Sequence, residues 1–175
     1  MNVNEMNGYK AWLTYAPIKN IAYKERLLKI VSVIECRAKT EVIQTAIQEW
    51  SKAILSMTGK EVAVYDSTEE PCVRIRITDE RVTETEGYKI QFQDTTKQGL
   101  CITSKTDKGV LYAIFHLIRL IQMELPLETI DIDEAPKNDL RMINQWDDMD
   151  GSVERGYAGQ SIFIKIMILF EITNE

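Results

Sequence analysis

The sequence predicts an α+β domain: one mixed β-sheet with two main helices packed on one face. Three observations lead there. Two segments, 40–57 and 108–123, repeat apolar residues at the i, i+3, i+4 spacing of a helix with one buried face. Short runs at 61–65, 72–78, 87–93, 99–104 and 129–134 alternate with the period of two that marks a strand. Polar turns at 66–71, 79–86 and 94–98 separate those runs. The 175 residues make one ordinary domain and a little more. A chain of that size buries roughly 68–70% of its unfolded surface, which is enough for a core. The α+β domain is expected over residues 1–136, with the start of a second unit over 137–175.

Residues 1–23 gather Tyr9, Trp12, Tyr15 and Tyr23 around the breaker Pro17. They read as an arm laying aromatics on the core, with a binding platform as the alternative. The run KIVSVIE, 29–35, is expected as a strand because of its β-branched residues. Leu27, Leu28, Val31 and Ile34 also fit a helical stripe. From Thr40 to Met57 the residues Val42, Ile43, Ala46, Ile47, Trp50, Ala53, Ile54 and Met57 share one helix face, and Gly59 follows as a C-cap.

In CVRIRIT, 72–78, Val73, Ile75 and Ile77 point one way and Arg74, Arg76 and Thr78 the other. GYKIQFQ, 87–93, repeats the pattern through Tyr88, Ile90 and Phe92. Such alternation predicts one buried and one wet face. The second helix carries Val110, Leu111, Ile114, Phe115, Leu117, Ile118 and Ile121 on a wide stripe, with Asp107 as its expected N-cap. His116 lies beside that stripe. It reads as a helix-surface residue rather than a catalyst, since no Ser or Cys lies near it in sequence. Pro126 ends the element, TIDIDE at 129–134 closes the sheet, and Leu140–Gln145 reads as a further short extended run.

The net charge of −6 argues against non-specific nucleic-acid binding and against docking on anionic lipid. The longest apolar run, 162–170, is broken by Lys165 and falls short of a membrane span. Cys36, Cys72 and Cys101 are odd in number and form no C-x-x-C, so buried thiols in a reducing compartment are expected. The opening MNVNEMNGYK has no apolar signal core, which points to the cytoplasm. A single histidine removes histidine-based metal sites; no metal and no cofactor are expected.

The densest polar stretch is 140–163, LRMINQWDDMDGSVERGYAGQSIF. Trp146 offers a flat apolar face suited to the C–H face of a sugar ring. Asp147, Asp148, Asp150 and Glu154 can accept paired hydroxyls, and Arg155 can hold a carboxylate with two prongs. Gly156 and Gly159 let backbone amides approach a ligand. The set suits an acidic sugar. D-x-D-G-x-x-E also superficially resembles a calcium loop, without its 12-residue spacing. A solvated turn is the third possibility.

RMINQWDDMDGSVERGYAGQSIF (141–163), with GYKAWLTYAPI (8–18) and DKGVLYAIFHLIRLIQ (107–122), resembles the microbial α-glucuronidases of glycoside hydrolase family 67. The resemblance covers nearly the whole chain. It implies an N-terminal α+β domain similar to the accessory domain of β-hexosaminidases, followed by a (β/α)8 barrel whose first strand would be 141–145. It implies removal of 4-O-methylglucuronic acid from xylo-oligosaccharides with inversion, without a cofactor, by a full-length homodimer. Barrel active sites lie at the C-terminal ends of the strands. Trp146 and Glu154 would then touch the glucuronic acid, with Arg155 and Tyr157 next and Asp147 orienting the loop. Gln145, Asp148 and Asp139 depart from the family's usual His, Asn and Pro, and after Phe163 the likeness stops.

Inverting hydrolysis needs two carboxyl groups about 6.5–9.5 Å apart on opposite sides of the sugar. By the resemblance these come from later barrel strands, so no catalytic residue is assigned within these 175 residues. The expectation is an inactive piece of an α-glucuronidase, an incomplete barrel included. The alternatives are a non-catalytic carbohydrate-binding module, or a docking module for a separately encoded barrel.

Overall fold

Asn20 starts the first helix among the described residues: its side-chain oxygen accepts from the Tyr23 N–H at 3.0 Å, satisfying one of the donors that a helix start leaves unpaired. The computed structural model describes residues 13–70, 72–78, 86–94, 98–138, 140–142 and 144. Helix α1 spans Ile21–Val31 and strand β1 spans Val33–Glu35, with only Ser32 between them. The run 29–35, expected as one strand, is therefore split. Lys29–Val31 ends a helix, because Ile30 and Val31 complete a buried stripe with Tyr23 and Leu27. Burying such side chains is worth about 1.5–3 kcal/mol each, more than their helix-propensity cost of under ~1 kcal/mol.

Helix α2, Glu41–Thr58, starts at the N-cap Thr40 and stops at Gly59, whose φ of 77° lies in the left-handed region and whose N–H bonds the Leu55 carbonyl. Of the eight residues the spacing places on its apolar face, Ile43, Ala46, Trp50, Ala53, Ile54 and Met57 are buried and Val42 and Ile47 half-buried. Strands β2 (Ala63–Tyr65), β3 (Cys72–Ile77), β4 (Tyr88–Gln93) and β5 (Gly99–Ser104) follow. Helix α3 spans Asp107–Gln122 and strand β6 Asp131–Glu134. The N-cap of α3 is Thr106, whose side chain accepts from the Gly109 N–H; Asp107, expected in that role, is the first helical residue. Thus the described residues form three helices, one more than expected.

The strand order is β2-β1-β3-β5-β4-β6. β1 runs parallel to β2 and β3, and β3 parallel to β5, whereas β4 is antiparallel to both β5 and β6. The sheet is mixed, as predicted. Register places Ile34, Val73, Leu100 and Phe92 in one cross-strand row, and Ile75, Ile102, Ile90 and Ile132 in another. This apolar face meets the helices: Tyr88, in phase with Ile90, hydrogen-bonds to His116 on α3. Helix α3 also packs on α2, and α1 on β3 and α2.

The opposite face carries Glu35, Arg74, Cys101, Gln91 and Asp131 in one row and Arg76, Thr103, Lys89 and Asp133 in the next. It was expected to be wet. It is polar, but its centre is buried: Arg74 is 3% exposed and Glu35 2%, and every residue of β5 is buried. The connection from β2 to β3 reaches over it, with the Thr68 N–H donating to Glu35 and the Glu70 carbonyl accepting from Arg74.

Residues 15–137 form one compact unit. Tyr15 and Tyr23 are buried in it, as expected of the aromatic arm, while Tyr9 and Trp12 lie outside the described residues. The Tyr23 hydroxyl donates to the Leu125 carbonyl, and burial, with the charges of Glu124 and Glu128, pushes its pKa up to about 12. The Trp50 indole N–H donates to the carbonyl of Val31, one of the acceptors the end of α1 leaves open. Cys36, Cys72 and Cys101 are buried free thiols. Beyond this unit Arg141, Met142 and Asn144 are described and lie in no strand, while positions 143 and 145 of the expected barrel strand lie outside the described residues. No helix among the described residues is long and apolar enough to cross a membrane.

Candidate functional site

Trp146, Asp147, Glu154, Arg155 and Tyr157, the residues expected at the sugar pocket, lie outside the described residues. The chain leading to them is described as far as Asn144. Leu140 and Met142 are exposed there, and Arg141 donates to the Asn138 carbonyl.

Two polar clusters stand out within the compact unit. The first is Glu35 with Arg74 and Arg76. Arg76 donates to one Glu35 carboxylate oxygen, and the Arg74 Nε lies 3.6 Å from the other. Burial pushes the Glu35 carboxyl upward. The Arg76 and Thr68 N–H bonds and the charges of Arg76 and Arg74 more than offset this, so its pKa falls below the usual carboxylate value. Arg74 also donates to the Gln98 and Glu70 carbonyls. This cluster spends its donors and acceptors on the fold: it ties β1 to β3 and to the loops at their ends.

The second cluster opens to solvent. Tyr88, Phe115, His116, Arg119 and Glu134 line a shallow pocket of about 350 Å³ between α3 and the β4–β6 pair. The Tyr88 Oη lies 2.8 Å from His116 Nδ1, and the Arg119 guanidinium lies 3.1 Å from His116 Nε2. Arg119 has no acceptor, so Nε2 must accept from it. The neutral ring then carries its proton on Nδ1 and donates it to Tyr88. Burial and the adjacent Arg119 charge lower the His116 pKa against the opposing pull of Glu134, which favours this neutral form. Burial and Glu134 raise the Tyr88 pKa, keeping the phenol protonated.

Sequence reasoning placed His116 on the helix surface and missed this cluster. The legible half was Arg119 one turn along the same face. The other half, Tyr88, lies 28 residues away and reaches the ring only through sheet register. Among the described residues no group of three or more His, Cys, Asp or Glu is placed to hold a metal ion.

Two family models match in succession. The glycosyl hydrolase family 67 N-terminus matches residues 11–117, and the family 67 middle domain matches 120–174. Relatives include a probable alpha-glucuronidase A of Aspergillus terreus, 30% identical over 173 residues, and one of Aspergillus niger, 29% identical over 174. These alignments cover 90% and 91% of this chain, which spans only 20% of the length of either relative. Among solved structures the chain is similar to a GH138 enzyme targeting pectin rhamnogalacturonan II, at 17% identity and a TM-score of 0.49. That likeness covers 61% of this chain and 12% of the other.

Proposed function

The chain belongs to glycosyl hydrolase family 67, and from that premise we propose that it is the N-terminal part of an α-glucuronidase that hydrolyses (4-O-methyl)glucuronic acid from xylo-oligosaccharides in xylan breakdown. One observation carries the reading: relatives named alpha-glucuronidase align along nine-tenths of the chain, in the same order as the two family models.

The proposal divides the labour along the chain. Residues 15–137 supply a folded support. The stretch from Trp146 to Tyr157 supplies one wall of the sugar pocket: Trp146 stacks on the ring, Glu154 accepts hydroxyls, Arg155 and Tyr157 hold the carboxylate, and Asp147 orients the loop. The general acid and base come from strands beyond these 175 residues, because carboxylates on one loop cannot straddle a ring at about 6.5–9.5 Å separation.

The test compares the purified 175-residue chain with a chain extended through the downstream reading frame to the length of the relatives, both given aldouronic acids. The longer chain is expected to release glucuronic acid and the shorter to match a blank. In the longer chain Trp146→Ala should lower kcat/KM at least about tenfold, the size of one lost ring contact of about 1.4 kcal/mol. Release by the short chain overturns the division of labour; release by neither overturns the activity.

A further inference from the structure

We propose that the pocket between α3 and the β4–β6 pair is a second binding site, one that takes a single neutral sugar residue. The inference stands on the pocket alone and is independent of the glucuronidase reading.

The pocket's size is in the range that holds small ligands, and its lining mixes aromatic walls with a few converging polar groups. The charges in it disfavour three simple ligand classes. A simple anion would meet Arg119 but also the Glu134 carboxylate, which stands opposite Tyr88 in the β4–β6 register. A simple cation would meet Glu134 but also Arg119, which the neutral His116 ring leaves as a full positive charge beside it. An apolar ligand would strip water from both charges and return no hydrogen bond, which is costly.

A ring bearing several hydroxyl groups meets none of these objections, because each hydroxyl both donates and accepts. Glu134 can only accept, and Arg119 can only donate. Tyr88, having taken the His116 Nδ1 proton as an acceptor, has its own hydroxyl hydrogen left to give. Neighbouring hydroxyls on one sugar ring can donate to Glu134 while accepting from Arg119 and Tyr88. Phe115 supplies the apolar wall that the C–H face of a pyranose requires. A shallow pocket with one ring of contacts gives a dissociation constant on the order of a millimolar.

His116 is the one histidine of the chain, so its ring supplies a single, assignable NMR signal inside the pocket. The 175-residue chain is titrated at neutral pH with methyl β-xylopyranoside and methyl β-glucopyranoside, and separately with acetate and with ammonium. A saturable shift of the His116 ring signal with at least one neutral glycoside is expected, and none with either ion at the same concentration. Glu134→Gln and Arg119→Gln, both at exposed positions, should each weaken that binding about tenfold while leaving the thermal midpoint of the free protein unchanged. No shift with either glycoside, an equal response to acetate or ammonium, or unweakened binding in both variants overturns the proposal.

Discussion

The carboxylate of Glu35, on β1, is held by the guanidinium of Arg76, on β3, 41 positions further along the chain. Glu35 is almost wholly enclosed, and Arg74, at its side, is equally so. Removing one member of a buried ionic cluster leaves the others charged and uncompensated. Glu35→Ala should therefore cost about 3–5 kcal/mol in urea unfolding. By contrast, Lys39→Ala breaks an exposed pair with Asp66 and should leave the urea midpoint where it is.

The same cluster sets an acid limit. The folded-state pKa of Glu35 lies below its ordinary value of 4.5. Below that ordinary value the unfolded chain takes up a proton that the folded chain refuses, so stability falls as pH drops from about 4.5 through the folded-state pKa. Comparing urea midpoints at pH 7 and across that acid window should show the loss, and Glu35→Gln should flatten it.

His116 acts at milder acidity. Its pKa lies below the ordinary 6.5, so the stability gained from keeping it neutral is present above 6.5 and is lost as pH falls from there through its folded-state value. His116→Gln should remove that part of the pH profile. Nitrogen NMR at neutral pH should find the ring proton on Nδ1, because Arg119 donates to Nε2; a proton on Nε2 would contradict the hydrogen-bond chain to Tyr88.

Gly109 sits in the first turn of α3, where alanine would ordinarily be favoured by about 1 kcal/mol. Here a Cβ would lie 2.1 Å from the Ser104 Oγ and 2.7 Å from the Gly87 carbonyl oxygen. Ser104 is itself bonded to Gly87, so neither atom can yield freely. Gly109→Ala should therefore lower stability by about 1–3 kcal/mol, measured by thermal unfolding, with a sign opposite to helix propensity.

Thr40 caps α2 and also reaches α3, donating to the Asp107 carboxylate at 2.5 Å. Thr40→Ala should cost about 1 kcal/mol, and Thr40→Ser much less. A double-mutant cycle with Asp107→Ala should return a favourable coupling of at least about 0.5 kcal/mol; strict additivity would show the contact to be inert.

Helices α2 and α3 were legible in the sequence because each is long, strongly periodic and flanked by a cap residue. Strands β3 and β4 were legible from alternation. Helix α1 was not, since its end and the start of β1 share one apolar run and only Ser32 divides them; the overlooked sign was Asn20, the capping residue. The buried centre of the polar sheet face was also hidden. Alternation shows that Arg74 points away from Val73, but whether that side is wet depends on Glu35 and on the loop at Thr68–Glu70, both remote in sequence. The Tyr88–His116–Arg119 cluster needed sheet register to appear. The sugar-pocket residues from Trp146 to Tyr157 rest on residue chemistry and family likeness, being outside the described residues.

The sheet order has a consequence for how the chain is made. β3 and β5 pair over six residues, yet β4 lies between them in sequence and outside them in space. As the chain emerges from a ribosome, β3 presents Val73 and Ile75 without its main neighbour until Ser104 has been added. At ordinary elongation rates that wait is roughly 1–5 s. Helix α3 follows and covers the apolar face, and β6 seals the far edge last. The vulnerable interval is thus the synthesis of residues 78–104, when β3 has β1 and helix α1 against it but not yet the strand it pairs with over its whole length.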